Sequence, residues 1–175
     1  LILFAAHAYI QAPLTFDRET VGTLLEEADI GIIEESATAI GESIGLGVKH
    51  LRTRPENSRV LVLLTDGVNN SGEIDPLQAG QLAAIEGIKI YTIGIGADQV
   101  IQRSFFGARA TNPSAELDEA VLTQIAEATG GRYFRARDVN DLVEIYEELD
   151  RLEAIEQDDQ TYRPTKVLFY WPLGA

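Results

Sequence analysis

Cysteine is absent from these 175 residues, so neither a disulfide nor a thiolate metal site can form, and the redox compartment stays open. Histidine is almost absent too: His7 and His50 stand alone, without a partner at metal-ligand spacing. Positive charge is scarce. The 14 Lys and Arg residues face 28 Asp and Glu, a net of −14. Such a field repels phosphate backbones and excludes nucleic acid as a natural partner. Most of these carboxylates read as solvated helix faces. No signal peptide is evident, and no apolar run approaches the roughly 18 residues that span a bilayer. A dinucleotide fingerprint is also missing. The stretch "TIGIGAD" holds Gly94 and Gly96, but not the third glycine that the fingerprint needs. No nucleophile signature surrounds Ser71 or Ser104, so catalysis is not expected.

What is present suits one compact domain, with 45% hydrophobic and 24% charged residues. Both ends look cut. "LILFAAHAYIQAP" opens as if already mid-strand, and "TKVLFYWPLGA" turns apolar and then stops. The closing "VLFYWPLGA" is too short to cross a bilayer. Tyr170 and Trp171, just after Arg163 and Lys166, have the make-up of an interfacial lead-in to a membrane helix; the alternative is a packed tail or edge strand. The expected division is a domain over 1–156 and a tail over 157–175.

Between the ends, strands alternate with helices. "LILFA" and "AYIQAPLT" read as short extended runs, with Pro13 suited to an edge strand. "DRETVGTLLEEA" starts on Asp17 as N-cap, and "SATAIGESIGLGVKHLRTR" places Ile40, Ile44, Val48 and Leu51 on one face. Its glycines, Gly41, Gly45 and Gly47, weaken a free helix by about 1 kcal/mol each and make sense if the helix lies close against a sheet. "RVLVLLT" and "IKIYTIGIG" lack alternation, as strands covered on both faces do. The helices "PLQAGQLAAIEG" and "DEAVLTQIAEATGG", the strand "RYFRA" and the helix "DVNDLVEIYEELDRLEAIE" complete a doubly wound, mostly parallel α/β fold. One long irregular piece remains, residues 97–117. It carries Phe105 and Phe106 between Arg103 and Arg109, side chains that anchor interfaces.

"RVLVLLTDGVNNSGEIDP" raises the chemical question, because an apolar strand ends there on Asp66 with Gly67 behind it. In open α/β sheets ligands bind outside the carboxyl ends of the strands. A carboxylate there is a hard oxygen donor of the kind Mg²⁺ takes, and Thr38, opening a helix at the same sheet edge, is the natural second donor. The competing reading makes Asp66 a turn cap and Thr38 a helix-start hydroxyl.

"TAIGESIGLG", "RVLVLLTDGVNNSGEIDP", "IKIYTIGIGAD" and "TGGRYFRARDVNDLVEIYEELDRLE", in that order, resemble a von Willebrand factor type A (vWA) domain, more narrowly the bacterial aerotolerance (Bat) membrane proteins. The resemblance covers about Leu1 to Glu156. It implies a Rossmann-like sheet and a metal-ion-dependent adhesion site (MIDAS), where a divalent ion, Mg²⁺ or Mn²⁺, is completed by an acidic group of a protein partner. Thr38 matches the site's threonine and Asp66 its aspartate after the fourth strand. The family's first strand, ending in Asp-x-Ser-x-Ser, does not occur in the sequence; it would lie before Leu1 and sit between "LILFA" and "RVLVLLT". Without its donors this chain is expected to hold metal weakly or not at all. The resemblance further implies other Bat-type proteins and a MoxR-type AAA+ ATPase as partners, and a bacterial inner membrane with the domain facing the periplasm. A metal-independent interaction domain acting through 97–117 is the alternative, and a nucleotide-binding α/β enzyme, which lacks its phosphate loop, ranks behind both.

Overall fold

The computed structural model describes residues 1–28, 37–96, 100–104, 107–111 and 117–159. Strands β1 (Ile2–Phe4) and β2 (Ala8–Ile10) form an antiparallel hairpin, followed by α1 (Arg18–Glu26) and α2 (Ile40–Leu51). Then come β3 (Val60–Thr65), α3 (Pro76–Ile85), β4 (Lys89–Ile95), a hairpin of β5 (Val100–Ser104) and β6 (Gly107–Thr111), α4 (Glu119–Ala128), β7 (Tyr133–Ala136) and α5 (Val139–Asp159). Strands β3, β4 and β7 lie side by side in that order, all parallel. Parallel neighbours need a crossover, and α3 and α4 supply them.

The apolar runs explain the layering. Strand β4 is covered on both faces, with Ile90, Tyr91, Thr92 and Ile93 all buried. On one face Ile40, Ile44 and Val48 of α2, Ala79 and Ala83 of α3, and Leu122 and Ile125 of α4 pack against Leu63 and Ile90. On the other, Ile145 and Leu149 of α5 cover Tyr91, Ile93 and Ala136. Local chemistry sets the helix ends. Asp75 accepts from the Gln78 N–H with Pro76 at the first turn, and Asp118 accepts from the Val121 N–H. Gly87 and Gly130 leave α3 and α4 at φ +64° and +73°, where a Cβ is strained.

The structure redraws several expectations. Strand β2 ends at Ile10, so Pro13 lies beyond it rather than in an edge strand. The 97–117 piece is not irregular throughout, because β5 and β6 pair antiparallel within it, and Ser104 closes β5 instead of lying in a loop. Phe105 and Phe106 fall outside the described residues, as do the side chains of Arg103 and Arg109. Of the α2 glycines only Gly47 faces the sheet: a Cβ there would stand 3.1 Å from Leu61. Gly41 and Gly45 instead face Ile74, in the loop after β3. Helix α1 keeps its Asp17 cap but buries no residue, and Leu25 is 54% exposed.

The β1–β2 hairpin does not pair with β3. A cleft of about 440 Å³ separates them, lined by Leu1, Ile2 and Ile10 on one side and by Val60, Leu61 and Val62 on the other. At the opposite end of β1 the hairpin is fastened: the Ala39 N–H donates to Ala5 O at 2.6 Å, and Ser71 Oγ donates to Ala6 O at 3.2 Å. Thus β1 runs in the same direction as β3. Among the described residues, the β3 edge that faces this cleft has no ladder partner.

Candidate functional site

The carboxyl ends of β3 and β4 set the rim of the sheet. Asp66 follows Thr65 directly, and its side chain is exposed, with no hydrogen bond to any described residue. The Gly67 N–H is taken instead by Thr65 Oγ1 at 3.3 Å. Asp66 therefore caps no turn and keeps both oxygens available. Thr38 reaches the same rim. Its Oγ1 lies 3.4 Å from where a Cβ on Gly67 would stand. Helix α2 begins only at Ile40, with Ala39 as N-cap and no side-chain cap bond, so the Thr38 hydroxyl is not a helix cap either. Two oxygen donors thus share one rim, and neither is spent on the fold.

What holds Thr38 there is a loop the sequence reading passed over. Asn70 Oδ1 accepts the Thr38 N–H at 2.7 Å, while the N–H groups of Asn70 and Ser71 donate back to Thr38 O at 3.1 and 3.3 Å. Asn69 Oδ1 accepts from the Gly41 N–H at 3.3 Å. These amides supply the acceptors that Ala39 lacks at the start of α2. Asn69-Asn70, one residue behind Asp66-Gly67, was the available signal, since Asn oxygens are common caps and turn acceptors. Three other acids nearby are committed elsewhere. Asp75 and Asp118, beside a 190 Å³ pocket floored by Ile40 and Leu122, are both N-caps. Glu42 meets His7 Nδ1 at 3.3 Å and accepts from the Glu73 N–H.

The donors fit a hard cation in kind, both being oxygens, but not in number. Among the described residues no three His, Cys, Asp or Glu side chains gather into a metal-binding group. An octahedral ion needs more than one carboxylate and one hydroxyl.

Further along the rim, Gly94 admits close neighbours, as its reading as a packing glycine requires. A Cβ there would stand 2.6 Å from Leu117 and 2.9 Å from the Tyr133 hydroxyl. Among the described residues that hydroxyl is buried with no hydrogen-bond partner. Burial pushes the Tyr133 phenol above its ordinary 10.0, with the Glu119 carboxylate adding to the effect and Arg135 opposing it. The fold thus favours the neutral phenol. Its contribution to stability is complete below about pH 10 and is lost as pH rises through the folded-state value. In urea titrations at about pH 9 and about pH 11, Tyr133→Phe is expected to lose less stability than the wild type. Equal losses would show that Tyr133 does not ionise on a different schedule when folded.

Comparison with known proteins fits this architecture. The model of the von Willebrand factor type A domain matches residues 1–148, and the chain belongs to that family. Three solved structures share the fold. An uncharacterized membrane-spanning protein from Vibrio fischeri is 47% identical, with 87% of this chain and 74% of that one covered and a TM-score of 0.53. BatB from Bacteroides thetaiotaomicron is 26% identical over 88% and 78%, at 0.69. Proximal thread matrix protein 1 of the mussel byssus, whose MIDAS motif holds zinc, is 24% identical over 89% and 34%, at 0.64. An uncharacterized protein of Borreliella burgdorferi is 35% identical over 143 residues, and the chain spans 41% of its length. The bacterial relatives support a Bat-type vWA domain.

Proposed function

We propose that this chain is the protein-binding domain of a membrane-anchored bacterial vWA protein, and that in the intact protein Thr38 and Asp66 are two of the ligands of a Mg²⁺ or Mn²⁺ ion. One observation carries this reading: two oxygen donors from separate segments share a rim, unspent on capping. When bound, such an ion offers a coordination position to a carboxylate of the partner. The remaining donors are assigned to a strand seated in the cleft. Because β1 and β3 run the same way, a strand between them would be parallel to both, and its carboxyl end would emerge beside Asp66 and Thr38. The place agrees with that of the Asp-x-Ser-x-Ser strand in the family. Other Bat-type proteins and a MoxR-type ATPase are the proposed partners, with the domain on the periplasmic side and residues 157–175 leading towards a membrane helix. No helix among the described residues is itself long and apolar enough to cross a membrane.

Partner capture by the full-length protein in excess Mg²⁺ and again in EDTA tests the reading. Capture that disappears in EDTA is the expected result. Undiminished capture favours the 97–117 segment instead, whose β5–β6 hairpin follows β4 and so leaves the same rim.

A further inference from the structure

We infer that Asn70 is the positioning residue for Thr38, setting the direction of the hydroxyl offered to the ion; this rests on the proposed metal site. Asn70 and Thr38 close a ring of two hydrogen bonds. The side-chain oxygen of Asn70 takes the Thr38 N–H at 2.7 Å, and the backbone N–H of Asn70 returns to Thr38 O at 3.1 Å. Asn70 therefore reaches both polar groups of the Thr38 backbone, with the Ser71 N–H as a second donor to Thr38 O. The neighbours of Asn70 extend the clamp to two other segments. Asn69 holds the first turn of α2 through the Gly41 N–H, and Ser71 Oγ holds the β1–β2 hairpin through Ala6 O. Three consecutive side chains thus tie three different parts of the chain to the loop that begins at Asp66.

The hydroxyl itself is left out of this network. Among the described residues nothing hydrogen-bonds Thr38 Oγ1, and it faces Gly67. A backbone locked at both ends with the side-chain oxygen held free is the arrangement expected of a preorganised ligand. Groups that orient a ligand through hydrogen bonds commonly govern metal affinity by about 10- to 100-fold. Asn70 is suited to this task because one residue brings an acceptor on its side chain and a donor on its backbone. Alanine keeps the second and loses the first.

The test is a double-mutant cycle on the full-length protein, with Mn²⁺ as the probe and free Mn²⁺ read by electron paramagnetic resonance. Asn70→Ala should weaken Mn²⁺ binding by about tenfold or more. In a Thr38→Ala background, where the hydroxyl is already gone, the same change should cost nothing further. A tenfold loss in both backgrounds would mean that Asn70→Ala merely loosens the rim, and would overturn the assignment; so would wild-type affinity in Asn70→Ala. If Asn70→Ala fails to fold, Asn70→Ser replaces it with the same expectations. Failure of the underlying site looks different, because then the wild type binds no Mn²⁺, or Thr38→Ala leaves binding unchanged.

Discussion

Gly41→Ala will lower the thermal midpoint by several degrees, although alanine is the better helix former. Gly41 lies in the first turn of α2, and a Cβ built there stands 1.9 Å from Ile74 O and 2.7 Å from Ile74 C. These are backbone atoms, so no rotamer change relieves the clash. Either α2 or the loop after β3 must shift. Relief of the helix-propensity penalty returns about 1 kcal/mol, while overpacking of this severity costs about 3 kcal/mol or more. The net of about 2 kcal/mol corresponds to a midpoint lowered by about 4–8 °C for a chain of this size. Gly22→Ala is the control. It sits in α1 with nothing within 4 Å of its Cβ, so the propensity gain should appear alone. A midpoint for Gly41→Ala at or above the wild type would show that α2 does not lie on the 72–75 loop as described.

Asp66→Ala should do the reverse, with almost no effect on the fold and a large effect on the ion. The carboxylate is exposed and bonded to nothing described, so its removal belongs among surface changes within about 0.5 kcal/mol. It also removes one acid from a chain of net −14. For ion binding, the rim loses the carboxylate that stands directly at the end of β3 and is bonded to no described residue. Affinity for Mg²⁺ or Mn²⁺ in the full-length protein should fall by more than about 100-fold, beyond the cost of losing a group that merely orients a ligand. Isothermal calorimetry reads the loss directly, and an unchanged urea midpoint shows that the fold survived. Calorimetric heats equal to those of the wild type would remove Asp66 from the site.

The two substitutions divide the rim by cause. Gly41 governs whether α2 can approach the loop that carries the Asn69–Ser71 clamp. Asp66 takes no part in that approach and is left free by it. An acid that contributes nothing to its own fold, beside a threonine held by others, is the arrangement a ligand site needs.

The readable features were those whose causes lie within a few residues. Asp17, Asp75 and Asp118 each bond a backbone N–H three positions on, so a helix start appears as an acid ahead of a run of helix-forming residues. The apolar run of β4 declares a strand covered on both faces, whereas β3 meets that expectation only in part, because Val62 stays 39% exposed. With helices between such strands the sheet must be parallel, which places Asp66 at a carboxyl end before any coordinates are known.

The clamp was not readable in this way. Its bonds join residues 28, 32 and 65 positions apart, and nothing local distinguishes Asn70 from any other turn asparagine. Gly41 was read for the wrong neighbour for the same reason: a glycine announces a close approach but not what approaches. The pairing of β5 with β6 and the end of β2 before Pro13 depend likewise on partners across a turn. By itself, then, the sequence determined the layering, the starts of α1, α3 and α4, and the end of the sheet where an acid stands. How the 69–71 loop binds the hairpin, Thr38 and α2 at that rim was decided only by tertiary packing, because those contacts form between residues whose separation along the chain carries no periodic signal.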